Sequence, residues 1–261
     1  MEEIILTCED CAEGILTSVY RAYEWKLPRD RVRIQAGEAD LCLFASYRNV
    51  KTEAALAKKV ADTVKRRMGE ELLEEIGYAM AARDRRKGTA VLRVIEAGLE
   101  GRIRRSLAEG LGDGWIRIAF ELSRRVRNEV HRGMQFLRFR EAEDGYLFAL
   151  TEPKEDVTAF LMPHFSDRLP RENFIIVDTL RKTAGVHPAG KPWFLVRLEE
   201  GERERISGMT GRTTQEEKEI AELFCRFFHT IGIRERKNLR LQQQFLPLRF
   251  RGTMTEFDGQ G

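Results

Sequence analysis

The chain has 261 residues, 42% of them hydrophobic, enough for one large domain or two small ones with real cores. Its 45 basic and 42 acidic side chains nearly cancel, so total charge points to no partner. No apolar run approaches the roughly 20 residues that span a bilayer, no signal-like segment opens the chain, and four cysteines make no disulfide framework; a reduced, cytoplasmic protein without membrane contact is the expectation.

In chain order, IILTC (4–8) reads as a short strand. Glu9-Asp10 leads into a helix whose apolar face is Ile15, Leu16, Val19, Tyr20 and Tyr23. LCLFAS (41–46) is a second strand candidate. From Thr52 the period is helical, through Ala55, Leu56, Val60 and Val64, then Leu72, Leu73, Ile76 and Met80. ARDRRKG (82–88) breaks it, and a further helix carries Val91, Leu92, Val94, Ile95 and Leu99. LGDG (111–114) is a turn. A long amphipathic helix follows from Trp115 to about His131.

The period then changes. MQFLRFR, DGYLFALTEP, NFIIVDTL and PWFLVRLEE are short β-rich runs separated by turn signals. A short helix, about Val157 to Leu169, interrupts them, and Pro163 is expected to kink it or start a new turn. Thr213 to Ile231 reads as a helix with a Thr213/Glu216 capping box and Gly232 as its stop. The expected fold class is α+β: a helical N-terminal half (1–112), then a mostly antiparallel sheet of about four strands flanked by helices (113–261). The two parts are separate domains or one continuous one.

Several groups carry candidate chemistry. Cys8-x-x-Cys11 is weak as a redox or metal motif, since no second CxxC accompanies it and no other ligands can be placed. Cys225 and His229 share a helix face opposite the apolar stripe, which is more often plain surface. Glu129 falls on the core face of the long helix, with Trp115, Ile118, Ala119, Leu122, Val126 and Val130. A carboxylate there is costly unless paired or hydrogen-bonded. It is either a structural ion pair, with Arg138 or Arg168 as partner, or a general acid or base. His131 belongs with Arg124 and Arg127 on the opposite face, or turns toward the sheet if the helix ends early. Pro163-His164-Phe165-Ser166-Asp167-Arg168 is dense in reactive groups, either a capped turn with a salt bridge or a substrate contact. No phosphate loop, dinucleotide fingerprint, HExxH or GxSxG appears, so no metal or cofactor is expected.

The main single-sign block lies at 233–251, IRERKNLRLQQQFLPLRFR. It holds Arg234, Arg236, Lys237, Arg240, Arg249 and Arg251 against Glu235 alone. Two readings stand. In one it contacts nucleic acid: the bases neutralise phosphates, Asn238 and the glutamines reach base edges or sugars, and Phe245 or Phe250 stacks. In the other it wraps the sheet, burying Leu239, Leu241 and Phe245 among others, with its arginines paired to helix acids.

Some of these residues carry a resemblance. Glu129-x-His131-Arg132, Phe136-Leu137-Arg138-Phe139, Tyr146-Leu147-Phe148-Ala149, Glu152-Pro153 and Pro163-His164-Phe165-x-Asp167-Arg168 follow one pattern. So do Glu235-Arg236-Lys237-Asn238-x-Arg240-Leu241-Gln242, Pro247, Arg249 and Thr255-Glu256-Phe257. The pattern resembles a bacterial family of unknown function whose members are described as DNA-metabolism or DNA-repair proteins. It covers nearly the whole chain, most closely from Trp115 onward. The chain departs from it at Cys8, Asp10 and Cys11, where the family has an aromatic, Gly and Ser.

The resemblance implies DNA as partner, a radical-SAM protein as companion, and in some relatives fusion to a uracil-DNA glycosylase-type domain. The chain has no radical-SAM cysteine triad of its own. The residues expected to touch nucleic acid are Arg132, Arg138, Arg168, Arg234, Arg236, Lys237, Asn238, Arg240, Gln242 and Arg249. A second hypothesis is an acid/base enzyme acting on a nucleobase or nucleotide through Glu129, His131 and His164. A third is an adaptor that holds the radical-SAM protein without touching DNA.

Overall fold

The computed structural model describes residues 3–38, 42–142 and 145–198. The expected helix 213–231 and the basic stretch 233–251 lie outside the described residues. The chain divides into two compact units, Met1–Asn128 and Glu129–Gly261.

The first unit is helical around a small parallel sheet. β1 (Glu3–Cys8) is central, with β2 (Val32–Ala36) on one side and β3 (Ala45–Asn49) on the other. Ile5 and Leu6 point to opposite faces of β1, and neither has any exposed surface. Both faces of the sheet are therefore covered, as parallel sheets require. α1 (Ala12–Glu24) crosses from β1 to β2. α2 (Ala54–Met68), α3 (Glu70–Met80) and α4 (Lys87–Leu99) follow. One apolar period from Thr52 to Met80 became two helices because Gly69, at φ 90°, breaks it.

Two strand expectations shift here. β2 is new: Val32 and Ile34 point inward, while Arg33 and Gln35 disguise the strand as polar. The LCLFAS strand begins only at Ala45 and runs into polar Asn49. Leu43 and Phe44 are each 88% exposed, and Phe44 has φ 65°. Pairing with β1, Ile4 opposite Ser46, sets the start, not local hydrophobicity.

α5 (Gly114–Phe136) contains the division between the units. It outruns the expected end near His131, because Val126, Val130 and Leu137 continue the buried helical spacing. MQFLRFR is thus mostly helix end, and only β4 (Arg140–Glu141) is strand.

The second unit holds a five-stranded sheet in the order β4-β5-β6-β7-β8, with β5 (Leu147–Thr151), β6 (Phe174–Asp178), β7 (Thr183–His187) and β8 (Phe194–Arg197). The β5–β6 pair is parallel and the others antiparallel. The α+β class with a mostly antiparallel sheet therefore stands, with β7 as the added strand. α6 (Thr158–Arg168) crosses from β5 to β6 and runs unbroken through Pro163. α6 sets Leu161 against Gly133 of α5 and Met162 against Gly185 of β7; neither glycine has room for a Cβ.

Candidate functional site

The carboxyl ends of the parallel strands β5 and β6 gather most of the buried polar groups among the second unit's described residues. Asp178, fully buried, closes β6. Its Oδ1 accepts from the N–H groups of Leu180 and Arg181, both at 3.0 Å, in an Asx turn. Its Oδ2 pairs with Arg181 Nη1 at 2.8 Å. The same guanidinium donates to the carbonyls of Pro153 (3.0 Å) and Lys154 (2.7 Å). Thr179 Oγ1 donates to Glu152. Glu129, 5% exposed, accepts from the Lys154 N–H at 2.9 Å. The Glu152-Pro153-Lys154 loop is thus held from one side by the Asp178–Arg181 pair and from the other by Glu129. These carboxylates are engaged by backbone donors, which is positioning work and not a free acid or base.

His131 and Glu129 are two residues apart on α5, so they cannot face one another. Glu129 is buried, whereas His131 is exposed, with its Nε2 at 3.0 Å from Gln135 Nε2. His164 stands six residues into α6, about 9 Å along its axis from Thr158, edge-on to Phe165 at 5.0 Å. There it adjoins an aromatic cluster. Phe139 meets Phe165 and Phe174 edge-on at 5.2 and 5.4 Å, and His187 stacks on Phe174 at 4.7 Å. Several residues of the recurring pattern, Phe139, Phe165 and the Glu152-Pro153 corner, are therefore packing and loop-fixing groups.

Among the residues expected to touch nucleic acid, Arg132 is half-buried one turn beyond Glu129, and Arg168 is exposed at the end of α6. Arg138 donates to the carbonyls of Gln135 and Leu137. Arg234, Arg236, Lys237, Asn238, Arg240, Gln242 and Arg249 lie outside the described residues, as do Cys225 and His229. The Asp178–Arg181 clamp was missed in the sequence. Its one signal was Asp followed three residues later by Arg just past a strand.

In the first unit the CxxC pair closes the β1–α1 loop. Cys11 caps α1, its Sγ accepting from the Gly14 N–H at 3.3 Å. Burial pushes the Cys8 thiol from 9.0 up to about 11, and burial also raises Cys11. Neither is an activated thiolate. The shift to about 11 leaves Cys8 with about 100-fold less thiolate at neutral pH than an ordinary cysteine. Since the folded value is the higher one, the stability tied to the protonated thiol is complete below pH 9 and is lost as pH rises toward 11. In peptide mapping after brief alkylation at neutral pH, exposed Cys42 is expected to be labelled well before Cys8; equal rates would contradict the buried thiol.

Residues 85–256 match the model of a family described as DUF4130, a domain of unknown function. The chain belongs to this family. The matched region takes in α4, α5, the whole second sheet and most of the stretch beyond it. No curated protein matches. A solved structure described as a member of the s1p family of ribosomal proteins, DHH domain, is similar over 72% of this chain and 74% of its own, at 11% identity and a TM-score of 0.32. That likeness is too slight to bear on the DUF4130 fold or its chemistry. No helix among the described residues is long and apolar enough to cross a membrane.

Proposed function

We propose that this DUF4130 protein acts in DNA repair or DNA modification, contacts DNA directly, and works beside a radical-SAM protein. The observation that carries the DNA contact is the charge of residues 233–251, six bases against one acid, in a chain that is otherwise slightly acidic. A concentrated positive segment recruits phosphates whatever the total charge. The exposed face of α5 adds Arg117 and Arg124 to the same reading, with Glu121 between them and with Arg125 and Arg127 already paired to Asp84 and Glu75. The radical-SAM companion, and a uracil-DNA glycosylase-type domain in some relatives, come from the resemblance alone. The acid/base alternative gains no support, since Glu129 and His131 occupy opposite faces of α5.

Fluorescence anisotropy with single-stranded, duplex and uracil-containing DNA tests the proposal across a salt series. Binding is expected to fall steeply with salt. Arg236→Ala/Arg240→Ala is expected to reduce the slope of log K against log salt by about 1.5 to 2. Binding that is absent, or indifferent to salt and to both substitutions, would refute DNA contact and leave the adaptor reading.

A further inference from the structure

An open groove of about 410 Å³ lies in the first unit where α2 and α4 end. Met68 of α2 passes directly over Gly98 of α4; a Cβ on Gly98 would fall 2.3 Å from the Met68 sulfur. That close crossing brings the two helix ends together and leaves a trough between them. Arg67, in the last turn of α2, and Arg104 and Arg105, in the segment after α4, all line it. The loop of Arg104 and Arg105 is fixed from beneath, because both backbone N–H groups donate to the Glu109 carboxylate, at 2.7 and 3.2 Å.

The three guanidinium groups are exposed, and none has an ion pair or hydrogen bond among the described residues. Among the described residues no carboxylate lines the groove. Glu100 is paired with Arg29 and Arg102, and Glu70 with Lys65; Glu109, held by backbone N–H groups, leaves one negative charge beneath Arg104 and Arg105. Three arginines against that single carboxylate leave the trough net positive, an arrangement that a bound anion relieves. The carbonyl ends of α2 and α4 make the floor slightly negative, so the anion belongs at the arginine rim. Gly69 and Gly101 have open space where a Cβ would stand, and Leu99 is 37% exposed. A chain-like ligand can therefore lie close to the backbone with an apolar patch beneath it.

We infer that this groove binds successive phosphates of a single nucleic-acid strand, as a second contact apart from the C-terminal basic stretch. The preference for anions rests on the groove itself; the identity of the strand rests on the function proposed above. The full chain is compared with Arg67→Ala/Arg104→Ala/Arg105→Ala and with Arg236→Ala/Arg240→Ala. The readout is anisotropy of a labelled oligothymidylate through a potassium chloride series. The groove variant is expected to melt like the wild type, because all three side chains are exposed. It should bind at least about tenfold more weakly, with a salt slope shallower by about 2.

Wild-type affinity and slope in the groove variant would overturn the inference, even where the C-terminal variant loses binding and the wider proposal survives. Loss in the groove variant alone would uphold the groove and remove the C-terminal contact. Displacement of the oligonucleotide by polyglutamate as readily as by unlabelled strand would overturn the phosphate assignment. A wild-type chain that binds no oligothymidylate would overturn the groove inference, whereas the wider proposal falls only if duplex and uracil-containing DNA fail to bind as well.

Discussion

Asp178→Ala is expected to destabilise the protein by about 3 kcal/mol. Asp178 has no exposed surface, and its two oxygens satisfy two backbone N–H groups and one guanidinium. Alanine removes both acceptor oxygens and all three hydrogen bonds at once. The Leu180 and Arg181 N–H groups lose their partner in the β6–β7 turn. Arg181, which also grips the Pro153 and Lys154 carbonyls, loses the charge that holds it in place. Asp178→Asn keeps a carbonyl for the turn but presents an amide or nothing to Arg181, so a smaller loss is expected. Urea unfolding of the full chain measures both. A loss under about 1 kcal/mol for alanine would mean that the Asx turn and clamp are dispensable.

Gly88→Ala is expected to destabilise by about 1 to 3 kcal/mol, against the usual sign for glycine in a helix. Gly88 sits in the first turn of α4, where α4 lies on β2. A Cβ there would come within 2.7 Å of both the Ile34 carbonyl oxygen and Ile34 Cγ2. The carbonyl is strand backbone and cannot step aside. The same contact is stitched by Thr89, whose Oγ1 accepts from the Ile34 N–H at 3.0 Å and faces its carbonyl at 3.2 Å. Moving α4 outward would stretch both bonds. Gly77→Ala is the internal control. It lies inside α3 with nothing within 4 Å of its would-be Cβ. It is expected to stabilise by about 0.5 to 1 kcal/mol. Thermal melts of the two variants should move in opposite directions; matching shifts would show that contact with Ile34 does not govern Gly88.

The candidate sites were less legible than the elements around them. Glu129 stood out because it broke an apolar stripe, and the structure explains it by the Lys154 N–H, 25 residues further along. Arg181 reaches back 27 and 28 residues to carbonyls of the loop after β5. Backbone acceptors leave no mark on residue type, so no pattern of letters announces them. The groove arginines are equally silent: Arg67 and Arg104 are 37 positions apart, and only the Met68–Gly98 crossing makes them neighbours.

By itself the sequence determined the elements whose cause is local. α1 through α6 follow apolar spacings of three and four residues, and β1, β5, β6 and β8 are apolar or aromatic runs between turn signals. It also determined the concentration of positive charge near the C-terminus. Pairing was decided only by the tertiary structure. β2 and β3 are strands because β1 offers them a parallel edge. β7, whose Gly185 reads as a turn residue, is a strand because β6 and β8 bond to both its sides and Met162 fills the space that glycine leaves. Helix periodicity is written within a few residues, whereas a strand's partner, a buried carboxylate's donor and a groove's lining come from distant parts of the chain.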